Sequence, residues 1–308
     1  MYKVILWRIV QFPLILAVIY VLTFLLAWVA PGSPFGGDRK LDPIVEQDLK
    51  RRFHAENAWQ FLTWYPRNIL LRGDFGPSMQ YKEWSVNDII GVALPVSVTL
   101  GLFAITLAVF VGVGVGTLAA VRRGGALDWF SLSIALIGIS LPSFVTAAIL
   151  LMFASATKLF PVGGWGDFSD VVLPGIALSL GPMAYIVRLT RVSMLDTLGA
   201  DFVRTARAKG LSRGLVIWKH CLRNAFLPVL SYLGPAAAYA LTGSFVVEKV
   251  FNIPGLGQHF VNSVLNRDQT LILGCVMVYS LFLLSFNLLV DVTYSWVDPR
   301  IDIAQEGK

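Results

Sequence analysis

Long apolar stretches alternate with polar ones along this chain. Six stretches contain no Asp, Glu, Lys, Arg or His: residues 9–30, 92–121, 129–157, 171–187, 225–247 and 270–290. A hydrocarbon layer about 30 Å thick takes roughly 20 helical residues to cross, so the pattern predicts six transmembrane helices. The fourth stretch, 17 residues, is the shortest, while the second and third are long enough to tilt or to extend beyond the bilayer. The first has Lys3 and Arg8 ahead of it, as a secretory signal would. Its 22 residues exceed a signal core of roughly 7–15, and Pro31-Gly32-Ser33-Pro34 follows without a small-residue cleavage site, so it is expected to be a retained anchor.

Composition agrees with the pattern. A length of 308 residues alone would suggest about two soluble domains, but 56% of the residues are hydrophobic and only 14% charged. Soluble domains carry roughly 25% charge. Disorder, a disulfide scaffold and an ordinary cytosolic enzyme are all disfavoured, and the fold class expected is an all-α membrane protein. Cys221 and Cys275 lie in a basic loop and an apolar run, which predicts two free thiols.

The net charge of +6 reflects orientation rather than nucleic acid. With the N-terminus inside, segments 1–8, 122–128, 188–224 and 291–308 are cytoplasmic and hold 14 Lys/Arg against 7 Asp/Glu. The external segments 31–91, 158–170 and 248–269 hold 11 against 12, and 8 of those 11 lie in the long 31–91 segment. Short loops dominate the positive-inside rule, so both termini are expected to be cytoplasmic.

Two connections are too long to be turns. Segment 31–91 balances eight basic with eight acidic residues and carries Trp59, Trp64, Tyr65 and Trp84. It is expected to be a small folded external domain between helices 1 and 2, either covering the outer mouth or docking a partner. The remaining divisions are the N-terminal segment with helix 1 (1–30) and the body of helices 2–6 (92–308).

Segment 188–224 carries eight Lys/Arg and two Asp. Asp201 stands where a cap or first-turn acid belongs, and Arg207 and Lys209 suit the C-terminal end of a helix dipole. Gly210 suits the left-handed position that ends the helix, and Ser212 suits the cap of a second helix through Leu215, Val216, Trp218 and Leu222. Pattern alone leaves two readings level: an interfacial amphipathic pair or a docking lever.

Resemblance separates them. Asp201-Phe202-Val203-Arg204-Thr205-Ala206-Arg207-Ala208-Lys209-Gly210-Leu211-Ser212, continuing to His220-Cys221-Leu222-Arg223-Asn224-Ala225, resembles the coupling loop of bacterial binding-protein-dependent ABC permeases. Arg204-Thr205-Ala206 takes the Glu-Ala-Ala register of that signature, Gly210 keeps its place, and Leu222 falls at the expected spacing. Arg204, Thr205, His220 and Arg223 depart from the signature in the manner of the peptide-permease branch. Ile139-Ser140-Leu141-Pro142-Ser143-Phe144, Leu173-Pro174-Gly175 leading to Arg188-Leu189-Thr190-Arg191, Glu248 to Gly257, Asn266-Arg267-Asp268 and Asp298-Pro299-Arg300 extend the similarity over nearly the whole chain. In this order they resemble the B-type permease subunit of dipeptide and oligopeptide importers.

The chemistry is consistent with a subunit that performs no catalysis. There is no Gly-x4-Gly-Lys-Ser/Thr, His-Glu-x-x-His or Gly-x-Ser-x-Gly. His54, His220 and His259 fall on opposite sides of the predicted membrane, which excludes one shared metal site. Gly112, Gly114 and Gly116 lie in mid-span, where close helix packing is the expectation. Ion-coupled carriers place ionisable groups within their spans, and these six stretches hold none, so the driving energy is expected to enter from outside the chain. Uncharged polar residues flank the prolines and the midplane, and Ser140, Pro142, Ser143, Tyr232 and Asn287 are the candidates for the translocation path.

The resemblance implies a second permease chain, two cytoplasmic ATPase subunits or one fused pair carrying ATP and Mg, and an extracytoplasmic solute-binding protein. It implies no cofactor in this chain, and coupling through Asp201, Arg204, Thr205, Ala206, Arg207, Ala208, Lys209, Gly210, Leu211 and Ser212. Peptide import is the leading function. A same-fold importer for nickel chelates, glutathione or haem is the alternative, and a stand-alone channel or scaffold is the reading from a different class.

Overall fold

The computed structural model describes residues 2–35, 42–81 and 83–297. The Asp298-Pro299-Arg300 element lies outside them. Helices α1 (Tyr2–Val29), α4 (Val86–Val121), α7 (Phe168–Leu198), α11 (Leu227–Val250) and α13 (Gln269–Val297) form the bundle. Between α1 and α4 lie α2 (Pro43–Arg52) and α3 (Ala58–Arg72). Helices α5 (Ala126–Ser140) and α6 (Ser143–Thr157) fill the gap between α4 and α7. Among the described residues, five helices are long and apolar enough to cross a membrane, and six if α5 and α6 together make one span.

That third stretch departs most from a straight span. Leu141 and Pro142 break it, and α5 and α6 meet at 106°. Leu141 is extended (φ −87°, ψ 122°), the conformation that a following proline favours by crowding the α region. The fourth span is not short either. Helix α7 is 31 residues long, beginning at a reciprocal capping box of Asp167 and Asp170 and continuing through Arg188 and Arg191 beyond the apolar run. Helix α4 begins at a capping box of Ser85 and Asp88 and runs 36 residues, about 54 Å at 1.5 Å per residue, well over the hydrocarbon thickness.

Helices α4 and α7 pack against each other over much of their length. A Cβ at Gly112 would come within 2.8 Å of the Ile186 side chain, and one at Gly116 within 2.6 Å of the Val187 carbonyl oxygen. Glycine at these two positions lets the backbones approach. Gly114 faces open space and takes no part in the contact.

At one end of the bundle, α2 and α3 pack on α1 and on the start of α13. Tyr20, Phe24, Phe53, Phe61, Tyr65 and Leu273 form an aromatic-rich core there. The Tyr20 hydroxyl donates to the Leu62 carbonyl at 3.0 Å, and the Tyr65 hydroxyl to the Thr270 carbonyl at 2.7 Å. The fully buried Asp268 carboxylate fastens the loop after α3, accepting from Ser78 Oγ and from the backbone N–H groups of Met79, Gln80 and Leu271.

A short amphipathic helix, α12 (Leu256–Asn266), lies at that same end. Its N-terminal turn is held by a second buried carboxylate, Glu248. That group accepts from Ser97 Oγ at 2.7 Å and from the N–H groups of Gly257 and Gln258 at 2.8 and 3.2 Å. Ser97 Oγ in turn accepts from Leu256 N at 2.9 Å. Glu248 corrects the expectation of spans free of ionisable groups. The fifth helix runs past residue 247, and three hydrogen-bond donors make burial of a carboxylate tolerable.

Candidate functional site

The other end of the bundle carries the α7–α11 connection. It consists of α8 (Asp201–Ala208), α9 (Arg213–Leu215), a π-helical segment (Val216–Cys221) and α10 (Leu222–Ala225). Gly210 ends α8 with φ +77°, a conformation that L-residues with a Cβ rarely adopt. Ser212 caps the next helix, accepting from Leu215 N at 3.5 Å. Asp201 is the first residue of α8 rather than its cap, which is Ala200. The second helix is not regular α but widens through the π turn at Val216–Cys221.

One face of this connection is built into the bundle. Val203 and Ala206 of α8 bury against Ala120 of α4, Met194 of α7 and Val216, Ile217, Cys221 and Ala225. This packing seats α8 on the bundle. Cys221 lies at its centre, and burial pushes its thiol pKa up while Arg207 opposes the shift.

The opposite face is open. Arg204, Arg207, Lys209, Arg213, Lys219 and Arg223 are exposed, and so are Phe202, Leu211, Leu215 and Trp218. Trp218, 58% exposed, is the largest apolar group among them. Cations interleaved with bare apolar side chains mark a protein-binding surface better than a solvated one. Of the ten predicted coupling residues, nine sit on this open face or its edge. Ala206 does not: it is buried and anchors α8 from behind.

Behind the loop, a charged pair ties α5 to α7. Arg191 Nε donates to Asp128 Oδ1, and Nη2 to Oδ2 at 2.8 Å. Asp128 also accepts from Gly124 N at 2.9 Å. Sequence reasoning missed this pair because its members are 63 residues apart. A lone Asp at a predicted loop edge carries no mark of its partner.

The predicted path residues fall in three places. Ser140, Pro142 and Ser143 sit at the α5–α6 elbow, where Ser140 Oγ donates to the Leu136 carbonyl at 2.8 Å. The rings of Tyr232 and Tyr185 pack at a tilt of 32° with centroids 4.2 Å apart, joining α11 to α7. Tyr239 lies one side of the same α7–α11 seam, against Gly181, so three tyrosines share it. Asn287 is elsewhere, lining a groove between α1 and α13 with its Oδ1 against Gly234.

A bundle of membrane-length apolar helices with an exposed basic loop at one end is the build of a membrane-embedded protein. Comparison with known proteins agrees. Residues 112–303 match the family described as binding-protein-dependent transport system inner membrane component, and the chain belongs to that family. It is a bacterial inner-membrane permease component, not a catalytic subunit. The chain is 45% identical over 291 residues to the dipeptide transport system permease protein DppB of Bacillus subtilis (strain 168), covering 94% of each chain. It is 41% identical over 304 residues to the oligopeptide transport system permease protein OppB of Salmonella typhimurium, covering 98% of this chain and 99% of that one. The OppB of Escherichia coli (strain K12) is 42% identical, with the same coverage.

Proposed function

We propose that this chain is the B-type transmembrane subunit of an ATP-driven importer of dipeptides or oligopeptides, forming half of the pathway across the bacterial plasma membrane. The names of its relatives point to peptides rather than to nickel chelates, glutathione or haem. A second permease chain supplies the other half. An extracytoplasmic binding protein delivers the solute, and two ATPase subunits, or one fused pair, carry ATP and Mg. Both termini and the 188–224 loop face the cytoplasm, and the 31–91 segment faces outward and caps the mouth.

The observation that carries this reading is the two-faced build of α8. Its inner face is seated on α4 and α7, and its outer face offers Arg204, Thr205, Arg207, Ala208, Lys209 and Leu211 to a partner. Asp201 and Ser212 frame the element, and Gly210 sets the angle between its two helices. An ATPase that changes shape moves this seat only through differential contacts with that face. The α7–α11 tyrosine seam and the Pro142 elbow are the parts of the path contributed by this chain. Both are polar without charge, which suits a zwitterionic peptide that must pass without being held.

The test is uptake by cells or proteoliposomes containing the whole transporter. Gly210→Val removes uptake while membrane insertion and subunit level are retained. Unchanged uptake in that variant refutes the lever.

A further inference from the structure

Helices α1 and α13 meet at a groove of about 140 Å³ at the same end of the bundle as the α8 loop. Helix α1 lines it with Arg8, Gln11, Phe12 and Ile15, and α13 with Leu284, Asn287, Leu288 and Asp291. Each set follows the i, i+3, i+4, i+7 spacing of a single helix face. The helices run in opposite directions, so the two sets align. Arg8 faces Asp291 at the mouth, Gln11 and Asn287 lie about one turn in beside Phe12 and Leu288, and Ile15 and Leu284 lie deepest. Seven residues separate Arg8 from Ile15, about 10 Å of helix. The polar mouth therefore occupies the headgroup layer, and the apolar floor the edge of the hydrocarbon.

The mouth carries both signs of charge. Arg8 Nε and Asp291 Oδ2 approach to 3.2 Å, with the side chains 53% and 40% exposed. That contact uses one of the five N–H donors of the guanidinium and one carboxylate oxygen. The remaining donors suit a phosphate diester, which planar guanidinium binds well. The second carboxylate oxygen suits an ammonium a few ångströms away. Gln11 and Asn287 stand below, at the level of the ester carbonyls. Helix α1 is also the least buried of the candidate spans, so its outer flank is left to lipid or to another chain.

We propose that this groove is a binding site for one zwitterionic aminophospholipid of the phosphatidylethanolamine type. Its phosphate sits on Arg8, its ammonium on Asp291, and the head of an acyl chain on Phe12, Ile15, Leu284 and Leu288. The bound lipid wedges α1 against α13, fixing a helix that has few other contacts at this end. An anionic lipid satisfies only Arg8 and brings its charge against Asp291.

The intact transporter, purified with its partner subunits, tests this by native mass spectrometry after exchange into equimolar phosphatidylethanolamine and phosphatidylglycerol of matched chains. The wild type retains phosphatidylethanolamine. Arg8→Gln and Asp291→Asn each lower that occupancy at least about tenfold, as expected for loss of one charge-assisted hydrogen bond. Ile15→Trp, which fills the floor and leaves both charges in place, lowers it as well. The double exchange Arg8→Asp with Asp291→Arg retains it, which guards against misfolding of the single variants.

Preferential retention of phosphatidylglycerol, occupancy unchanged in all variants, or displacement of the lipid by millimolar dipeptide each overturns the proposal. So does a disulfide between Gln11→Cys and the second permease chain, which would show that a protein covers the groove. The readout is lipid occupancy and requires no transport, so its failure is separate from failure of the importer assignment.

Discussion

Arg191 on α7 grips Asp128 on α5 through both prongs of its guanidinium, two turns before α7 gives way to the loop that bears α8. Helix α5 is thereby tied to the helix that leads into that loop. The geometry is two-pronged, so Lys cannot replace Arg without losing one bond. Asp128→Ala is expected to destabilise the protein by roughly 1.5–3 kcal/mol, the range for hydrogen bonds to charged groups. Arg191→Lys is expected to cost less, and the exchange Asp128→Arg with Arg191→Asp to recover part of the loss. Thermal unfolding of the purified complex measures all three. Uptake per ATP hydrolysed separates a coupling defect from simple loss of protein.

Glu248 holds the start of α12 with a carboxyl group that accepts from three donors. Glu248→Gln places an amide NH₂ among them and is expected to release α12, as is Ser97→Ala to a smaller degree. Gly255→Ala is also disruptive, since its Cβ would lie 2.4 Å from Glu248 Oε2 and 2.7 Å from Ser97 Oγ. Limited proteolysis of right-side-out vesicles should show new cleavage within residues 251–268 in each variant and none in the wild type.

His259, on α12, has its pKa lowered by burial, with the ring of Tyr81 edge-on at 6.2 Å. Its folded pKa lies below the ordinary value near 6.5. The unfolded chain therefore binds the proton more readily, and stability is complete above about pH 6.5 and declines as pH falls below it. Protease resistance of α12 is expected to fall as the pH drops below about 6.5. His259→Phe is expected to flatten that profile, and an unaltered profile contradicts the assignment.

Trp218 stands bare on the outer face of the α7–α11 connection, and an exposed tryptophan is suited to anchor an interface. Trp218→Ala should weaken pull-down of the ATPase subunit at least about tenfold while the amount of inserted permease is unchanged. Gly210→Asn should keep near-normal activity, because Asn tolerates positive φ, whereas Gly210→Val should not.

Local signals were legible in the sequence. The apolar runs mark each span, Gly210 marks the turn after α8, and Ser212 marks the next cap, because each depends on residues within one helical turn. The break at Leu141-Pro142 was visible only as a proline, since the 106° angle is decided by what α5 and α6 pack against. Glu248 was visible as part of a motif but not as a buried group of the fifth helix, because an apolar run is counted until its first charge and nothing local shows that Ser97 waits 151 residues away. Asp128 and Arg191 were hidden for the same reason. The candidate path residues were legible as polar but not as a set: the Tyr185–Tyr232 ring contact comes from the α7–α11 crossing, and Asn287 faces a different groove.

Work done on this bundle through the α8 face by a separate ATPase is the central claim, and reconstitution measures it most directly. Proteoliposomes containing the two permease chains, the ATPases and the binding protein should accumulate labelled peptide against its gradient only when ATP is supplied on the α8 side. Liposomes holding this chain alone should not accumulate it at all. Uphill accumulation by the chain alone, without nucleotide, contradicts the account.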